Sequence, residues 1–376
     1  MVLIGLGTAF LLSLWWVSPA GAGTDIRVLL FRDVSRVTVA AADGVTVSLS
    51  NEGERRQASP LTITAAASGL ELDRVPVAVG GVTLRPTQTE LSIASDEGTG
   101  PPIFVGGKVH VLRRGRGLTV INELDLEEYV KGVVPSEMNA AWPAEALKAQ
   151  AVLARTYVLY QRSANPGREF DVAAGTQDQV YRGRHGVDQR VHQAVDATRD
   201  VVLTHANAPA LAAFFSTAAG PTEDAVVVWS KDLPYLKGVD CPFDAESPHF
   251  QWRAAFKIQD LEAGLRRQGM NVGTIATMAP MTYSRAGRVA TLRILHSDGE
   301  LILRGEDLRR AVGYTVIPST QFAVESVGYE IVLNGRGAGH GVGLCQWGAK
   351  ELGALGYPYQ AILNYYFPGT HLRYVR

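Results

Sequence analysis

The stretch Glu127-Glu-Tyr-Val-Lys-Gly-Val-Val-Pro-Ser-Glu-Met-Asn-Ala-Ala-Trp-Pro-Ala-Glu-Ala-Leu-Lys-Ala-Gln-Ala-Val-Leu-Ala-Arg-Thr-Tyr157 restricts the fold more than any other part of the chain. Ala144, Leu147, Ala151, Ala154 and Val158 recur at helical spacing, which predicts a helix from about Pro143 with one apolar face. Alanines keep that face thin, so a neighbouring element must lie close against it. Proline suits the first helical position, where its missing N–H has no partner to lose. Upstream, Pro135-Ser136 predicts a break after a short apolar segment. Glu137 then falls on irregular chain between two helices, where a side chain can point into a cleft instead of a core.

The other charges here have structural readings. Glu145 and Lys148 are spaced as an i,i+3 helix pair. Glu127 and Glu128 read as first-turn helix acids. Arg155, inside an apolar helix, is expected to satisfy a buried acid or carbonyl groups, because an unpaired buried charge is costly.

Across 376 residues there is chain enough for two or three domains. The formal net charge of −1, with 19% charged residues, argues against a nucleic-acid partner, which calls for a basic excess. Residues 2 to 17 carry no charge and precede Ser18-Pro-Ala-Gly-Ala-Gly23, a small-residue cleavage site. Residues 1–22 therefore read as a signal peptide, although no Lys or Arg precedes the apolar run. The alternative is a retained membrane anchor. Export to the periplasm or cell envelope would permit the two cysteines, Cys241 and Cys345, to pair.

Residues 24–117 alternate in short strand patterns and are expected to form a β-rich accessory module. Arg36–Ala40 and Gly44–Leu49 flank an Ala-Ala-Asp-Gly turn and read as a hairpin. Val109–Leu112 and Leu118–Ile121 flank Arg-Arg-Gly-Arg-Gly and read as another. Farther on, Gln177, Asp178, Gln179 and Tyr181 form a dense hydrogen-bonding set that suits a saccharide, with a solvated turn as the competing reading. Strand patterns continue from Trp252 to Val327, with helices expected near Ile258–Gln268 and Gly305–Val312. The glycine-rich block Asn334-Gly-Arg-Gly-Ala-Gly-His-Gly-Val-Gly-Leu-Cys-Gln-Trp-Gly348 then follows an apolar strand and opens a helix. A phosphate-cradling reading of this block fails, because no Gly-Lys-Ser/Thr follows and no acid occurs after Glu351. Ser216 lacks a nucleophile elbow. A cysteine enzyme using Cys345 with His340 lacks a third group. The overall expectation is an α+β fold, mostly antiparallel β with a helical catalytic segment.

Several of these blocks resemble signatures of the SpoIID/LytB family, the stage II sporulation protein D and amidase-enhancer proteins. The matching residues are Val133 to Met138, Trp142-Pro143, Glu145 to Ala151, Ala154 to Tyr157, the Gln177–Tyr181 set, Ser216-Thr217, and Gly339 to Ala349 with His340, Gln346 and Trp347. The resemblance spans about residues 118–376 and leaves the first β module mostly uncovered. It implies a lytic transglycosylase acting on peptidoglycan glycan strands, with peptide-stripped strands as substrate in sporulation members. Glu137 would be the general acid and base. Trp142, Gln177, Asp178, Gln179, Tyr181, Ser216, Thr217, His340, Gln346 and Trp347 would line the substrate. The rival implication is a non-catalytic wall protein that stimulates a cell-wall amidase.

No cofactor is required by that chemistry, although zinc is held in some members. Cys241, His249, His340 and Cys345 could form a metal set, a Cys241–Cys345 disulfide competes for the same sulfurs, and free thiols are the third option.

Overall fold

The computed structural model describes residues 24–49, 53–87, 90–97, 100–184 and 188–375. The signal-peptide reading of residues 1–22 lies outside them. Among the described residues no helix is long and apolar enough to cross a membrane. The fold is mixed α+β with mostly antiparallel strands, as the sequence pattern implies.

The first part is two sheets packed face to face. One follows the order Val172–Ala173, Asp25–Val34, Gly117–Asp125, Lys108–Arg114, Gly81–Pro86, Val45–Leu49, Gly53–Gln57. The other runs Ile103–Val105, Leu91–Ser95, Arg36–Ala40, Leu61–Ala66, Gly69–Leu72, Val75–Val77. Alternate residues point inward: Val45, Val47 and Leu49 from one sheet, Val37 and Val39 from the other. The Lys108–Arg114 and Gly117–Asp125 strands pair as the expected hairpin. The other expected hairpin is absent. Arg36–Ala40 pairs with Leu61–Ala66 and Leu91–Ser95, whereas Val45–Leu49 pairs in the opposite sheet. The Ala-Ala-Asp-Gly turn crosses between sheets, because both strands alternate and either pairing would bury the same residues.

Eight helices occur among the described residues: α1 (Leu126–Glu137), α2 (Ala144–Ala164), α3 (Gln189–Ala197), α4 (Ala225–Trp229), α5 (Ile258–Arg267), α6 (Gly305–Val312), α7 (Gln346–Ala354) and α8 (Tyr359–Tyr366). Asp125 caps α1, its carboxylate accepting from the Glu127 and Glu128 N–H groups. α1 runs straight through Pro135, so the expected break there is corrected: Glu137 is the last helical residue and Met138 turns the chain extended. α2 starts after Pro143, which is its N-cap. The expected one-sided apolar face is also too modest. Residues from Ala146 to Thr156 are buried nearly all round, except Lys148. α1, α3, α7, α8 and the strand Val201–His205 surround this helix. Its alanines are what let so many neighbours approach.

The sandwich interior and these helices share one continuous core, including Val28, Val120, Tyr129, Val133, Leu147, Leu153 and Leu363. A second lobe has its own core of Phe256, Leu265, Leu292, Ile294, Leu308, Ile317 and Leu333. It is built from strands between Trp252 and Gly335, with α5 and α6. Trp252 pairs with Gly335, so the chain enters and leaves this lobe on adjacent strands. A side chain at Gly335 would meet the Trp252 ring at 2.1 Å.

Candidate functional site

Arg155 of α2 reaches back to α1. Its Nε and Nη2 donate to the two oxygens of Glu127, each at 2.7 Å, and Nη1 donates to the Val201 carbonyl at 2.9 Å. Both partners are buried. This bidentate pair fixes α1 against α2, and so fixes the end of α1, where Glu137 sits.

The Glu137 carboxylate accepts the Val180 N–H at 2.8 Å. Gln346, at the start of α7, donates its amide to the Glu137 backbone carbonyl at 3.2 Å. Burial holds this carboxyl above the ordinary carboxylate range, against the lowering pull of the Val180 N–H and the Gln346 amide. Met138 beside it is buried, and Trp142 stacks edge-on against Trp347 with centroids 5.2 Å apart. The site therefore offers a carboxylic acid that keeps its proton longer than a surface glutamate would.

The segment that supplies Val180 is held by its own polar residues. Asp178 accepts from the Tyr157 hydroxyl at 2.9 Å, from Gln161 at 3.2 Å and from the Ala173 N–H at 2.9 Å. Gln179 is buried and accepts from the Tyr129 hydroxyl at 2.8 Å. Tyr181 is buried, stacks on Tyr129 and donates to Asn122 at 3.0 Å. Gln179 and Tyr181 thus act as internal struts, which corrects their reading as substrate contacts. Gln177 is exposed and lines a cleft.

The glycine block packs on the chain's own backbone. Phe214 and Phe215 pair with Leu344 and Cys345, and Thr217 bridges to Ala338. Gly343 has φ +80°, and a side chain there would meet the Ala213 carbonyl at 2.1 Å. The close approach that the glycines permit is to protein, not ligand. His340 donates from Nε2 to the Phe214 carbonyl at 3.0 Å and accepts the Val342 N–H on Nδ1 at 3.1 Å. Burial and the nearby Arg288 charge pull its pKa down to about 3, so it stays neutral. Both of its ring nitrogens are thus committed to backbone, and neither is left to orient Glu137 or to activate Cys345. Thr217 is buried against Ser247, and the Ser216 carbonyl accepts from the Trp347 N–H. Neither forms a nucleophile with a base.

A cleft of about 760 Å³ opens between the two lobes. From the first lobe Thr176, Gln177, Asp178, Trp229 and His340 line it, and from the second α6 contributes Glu306 and Arg310, with Arg304 just before it. Glu137 does not line this cleft; it joins it through the 177–180 segment. The second-lobe residues had no distinguishing pattern in the sequence, where α6 reads only as a helix.

The cysteines are brought together, both as free thiols and both buried. The sulfurs are adjacent and unbonded, the free-thiol arrangement among the three that the sequence leaves open. The Cys₂His₂ set is corrected, since His340 is held by backbone and the residue joining the sulfurs is Asp244, not His249. Cys345 is fully buried and both His340 nitrogens are held by backbone, so the pair lacks the access and the base that a cysteine nucleophile needs.

A family model described as stage II sporulation protein matches residues 114–205, and one described as a domain of unknown function matches residues 230–343. Stage II sporulation protein D of Bacillus subtilis is 32% identical over 267 residues, covering 67% of this chain and 75% of that protein. An uncharacterized protein of Brachyspira hyodysenteriae is 34% identical over 256 residues, 68% of each chain. The amidase enhancer of Bacillus subtilis is 30% identical over 291 residues, covering 65% of this chain but only 40% of that protein. The chain belongs to the stage II sporulation protein D family.

Proposed function

We propose that this is an exported cell-wall protein that cleaves peptidoglycan glycan strands as a lytic transglycosylase, with Glu137 as general acid and then base. The supporting observation is the Glu137 carboxyl at the end of α1, raised by burial and held by the Val180 N–H, with Gln346 of α7 on its backbone carbonyl. Glycoside hydrolysis ordinarily needs two carboxylates. A transglycosylase needs one, because the muramic acid 6-hydroxyl is already held as the nucleophile. Glu137 protonates the glycosidic oxygen as that bond breaks. It then takes the proton of the 6-hydroxyl as that oxygen closes on C1, leaving a 1,6-anhydro end. A raised pKa suits the first step and the conjugate base suits the second.

The amidase-enhancer relative favours a second reading, in which the protein binds the wall and stimulates an amidase without cutting glycan. Digestion of peptide-stripped glycan by the purified protein separates them. Mass spectrometry should find 1,6-anhydro ends from the wild type, with formation slowed by at least about 10²-fold in Glu137→Gln. Anhydro ends from both proteins would remove Glu137 from the role. Binding without cleavage by either would favour the enhancer reading.

A further inference from the structure

Arg288 is 2% exposed, yet most of its guanidinium is left over. Nη1 donates to the Gly339 carbonyl at 3.3 Å, and the group lies against Gly341, where a Cβ would come within 2.6 Å of Cζ. Bracing the glycine block accounts for those contacts. It leaves Nε and Nη2 buried without a hydrogen-bond partner. Orphaned donors of this kind are costly and call for an acceptor.

Arg288 lines a cavity of about 70 Å³ walled by both lobes. Glu223, Val227 and Val228 come from the first lobe, and Ser284, Val289 and Ala290 from the second. At about 30 Å³ per water, this is room for about two waters or one small substituent, and not for a sugar ring. The cavity is not built for an anion. Glu223 is itself buried and offsets the Arg288 charge, and Glu306 lines the same space. Arg304 is there too, but Asp307 holds its Nε and Nη2. What Arg288 lacks is a neutral acceptor. Glu223 Oε1 accepts the Asp224 N–H at 3.0 Å and Oε2 accepts the Ser284 hydroxyl, so each oxygen can still take one more donor. A fitting occupant has a carbonyl for Arg288, an N–H for Glu223 and an apolar end for the valines.

We infer that this cavity receives the 2-acetamido group of an N-acetylhexosamine, its carbonyl on Arg288 and its methyl on Val228 and Val289. The cavity shares Val228, Arg304, Glu306 and His340 with the inter-lobe cleft, so the sugar ring itself lies in the cleft. Trp229 lines that cleft beside the shared wall, 36% exposed, with its ring 4.9 Å from that of His340. An exposed aromatic face there suits the apolar face of a pyranose. The inference rests on reading the chain as a glycan binder, which both functions proposed above require. It places recognition of the acetamido group in the cleft, which Glu137 does not line.

Calorimetric titration of the purified protein with tetra-N-acetylchitotetraose and with cellotetraose tests it. These neutral glycans differ only in the group at C2. The wild type should bind the acetylated one at least about tenfold more tightly. Val227 is 46% exposed at the rim, so Val227→Phe should fill the cavity without disturbing the core and erase that preference. Arg288→Met should erase it as well, and Trp229→Ala should weaken both glycans. Equal affinities in the wild type would leave the cavity to water alone and overturn the inference while glycan binding stands. A preference that survives both Val227→Phe and Arg288→Met would place acetamido recognition elsewhere and overturn it too. Binding of neither glycan would remove the glycan reading itself, and this inference with it. If Arg288→Met fails to fold, Val227→Phe decides.

Discussion

Glu127 and Arg155 are two residues whose charges face each other and backbone groups in the core. Removing one leaves the other buried and unpaired, so Arg155→Met should destabilise the protein by about 3–5 kcal/mol in urea unfolding. The double variant Glu127→Leu/Arg155→Met should recover most of that loss, and a double loss equal to the sum would refute the pairing. Glu137 gives a pH-dependent counterpart. Its folded-state pKa is raised above the unfolded value, so its proton is bound more tightly in the native state. That contribution is complete in acid and fades as pH rises through the ordinary carboxylate range to the raised value. Glu137→Gln should therefore melt higher than wild type near neutral pH and match it in acid. A melting series across pH checks this, and equal midpoints at neutral pH would contradict burial of the carboxyl. The role of Arg155 was readable in the sequence because a lone cation in an apolar helix has few ways to be satisfied. The struts Gln179 and Tyr181 were not, since a polar cluster looks the same whether its hydroxyls face a sugar or a neighbouring helix.

At the scale of elements, helices were legible and strand partners less so. α5 and α6 stand where their patterns placed them, because helical hydrogen bonds are local. The strands Arg36–Ala40 and Val45–Leu49 alternate as read, yet alternation says which face is buried and not which sheet receives it. The glycine block shows the same limit. Its flexibility was evident, but its partner, the 213–218 segment, lies far earlier in the chain. Gly343→Ala should destabilise the protein by at least about 2 kcal/mol, combining a left-handed backbone with contact on the Ala213 carbonyl. Gly356→Ala also has positive φ but meets no atom within 4 Å, and should cost clearly less. Chemical denaturation of the two variants distinguishes crowding from backbone strain alone.

At the scale of the molecule, two cores imply two units of folding. Residues 252–335, with their ends paired at Trp252 and Gly335, should fold alone with a cooperative thermal transition. A broad, non-cooperative melt would show that the lobe needs the first one. The first lobe raises a different matter, that of timing. Gln346 meets the Glu137 carbonyl across 209 positions of sequence, and Phe214-Phe215 wait for Leu344-Cys345. A chain made from its N-terminus completes Glu137 long before α7 exists to brace it. If the protein cuts glycan as proposed above, it is inert while it is being made, and arms itself only when α7 arrives.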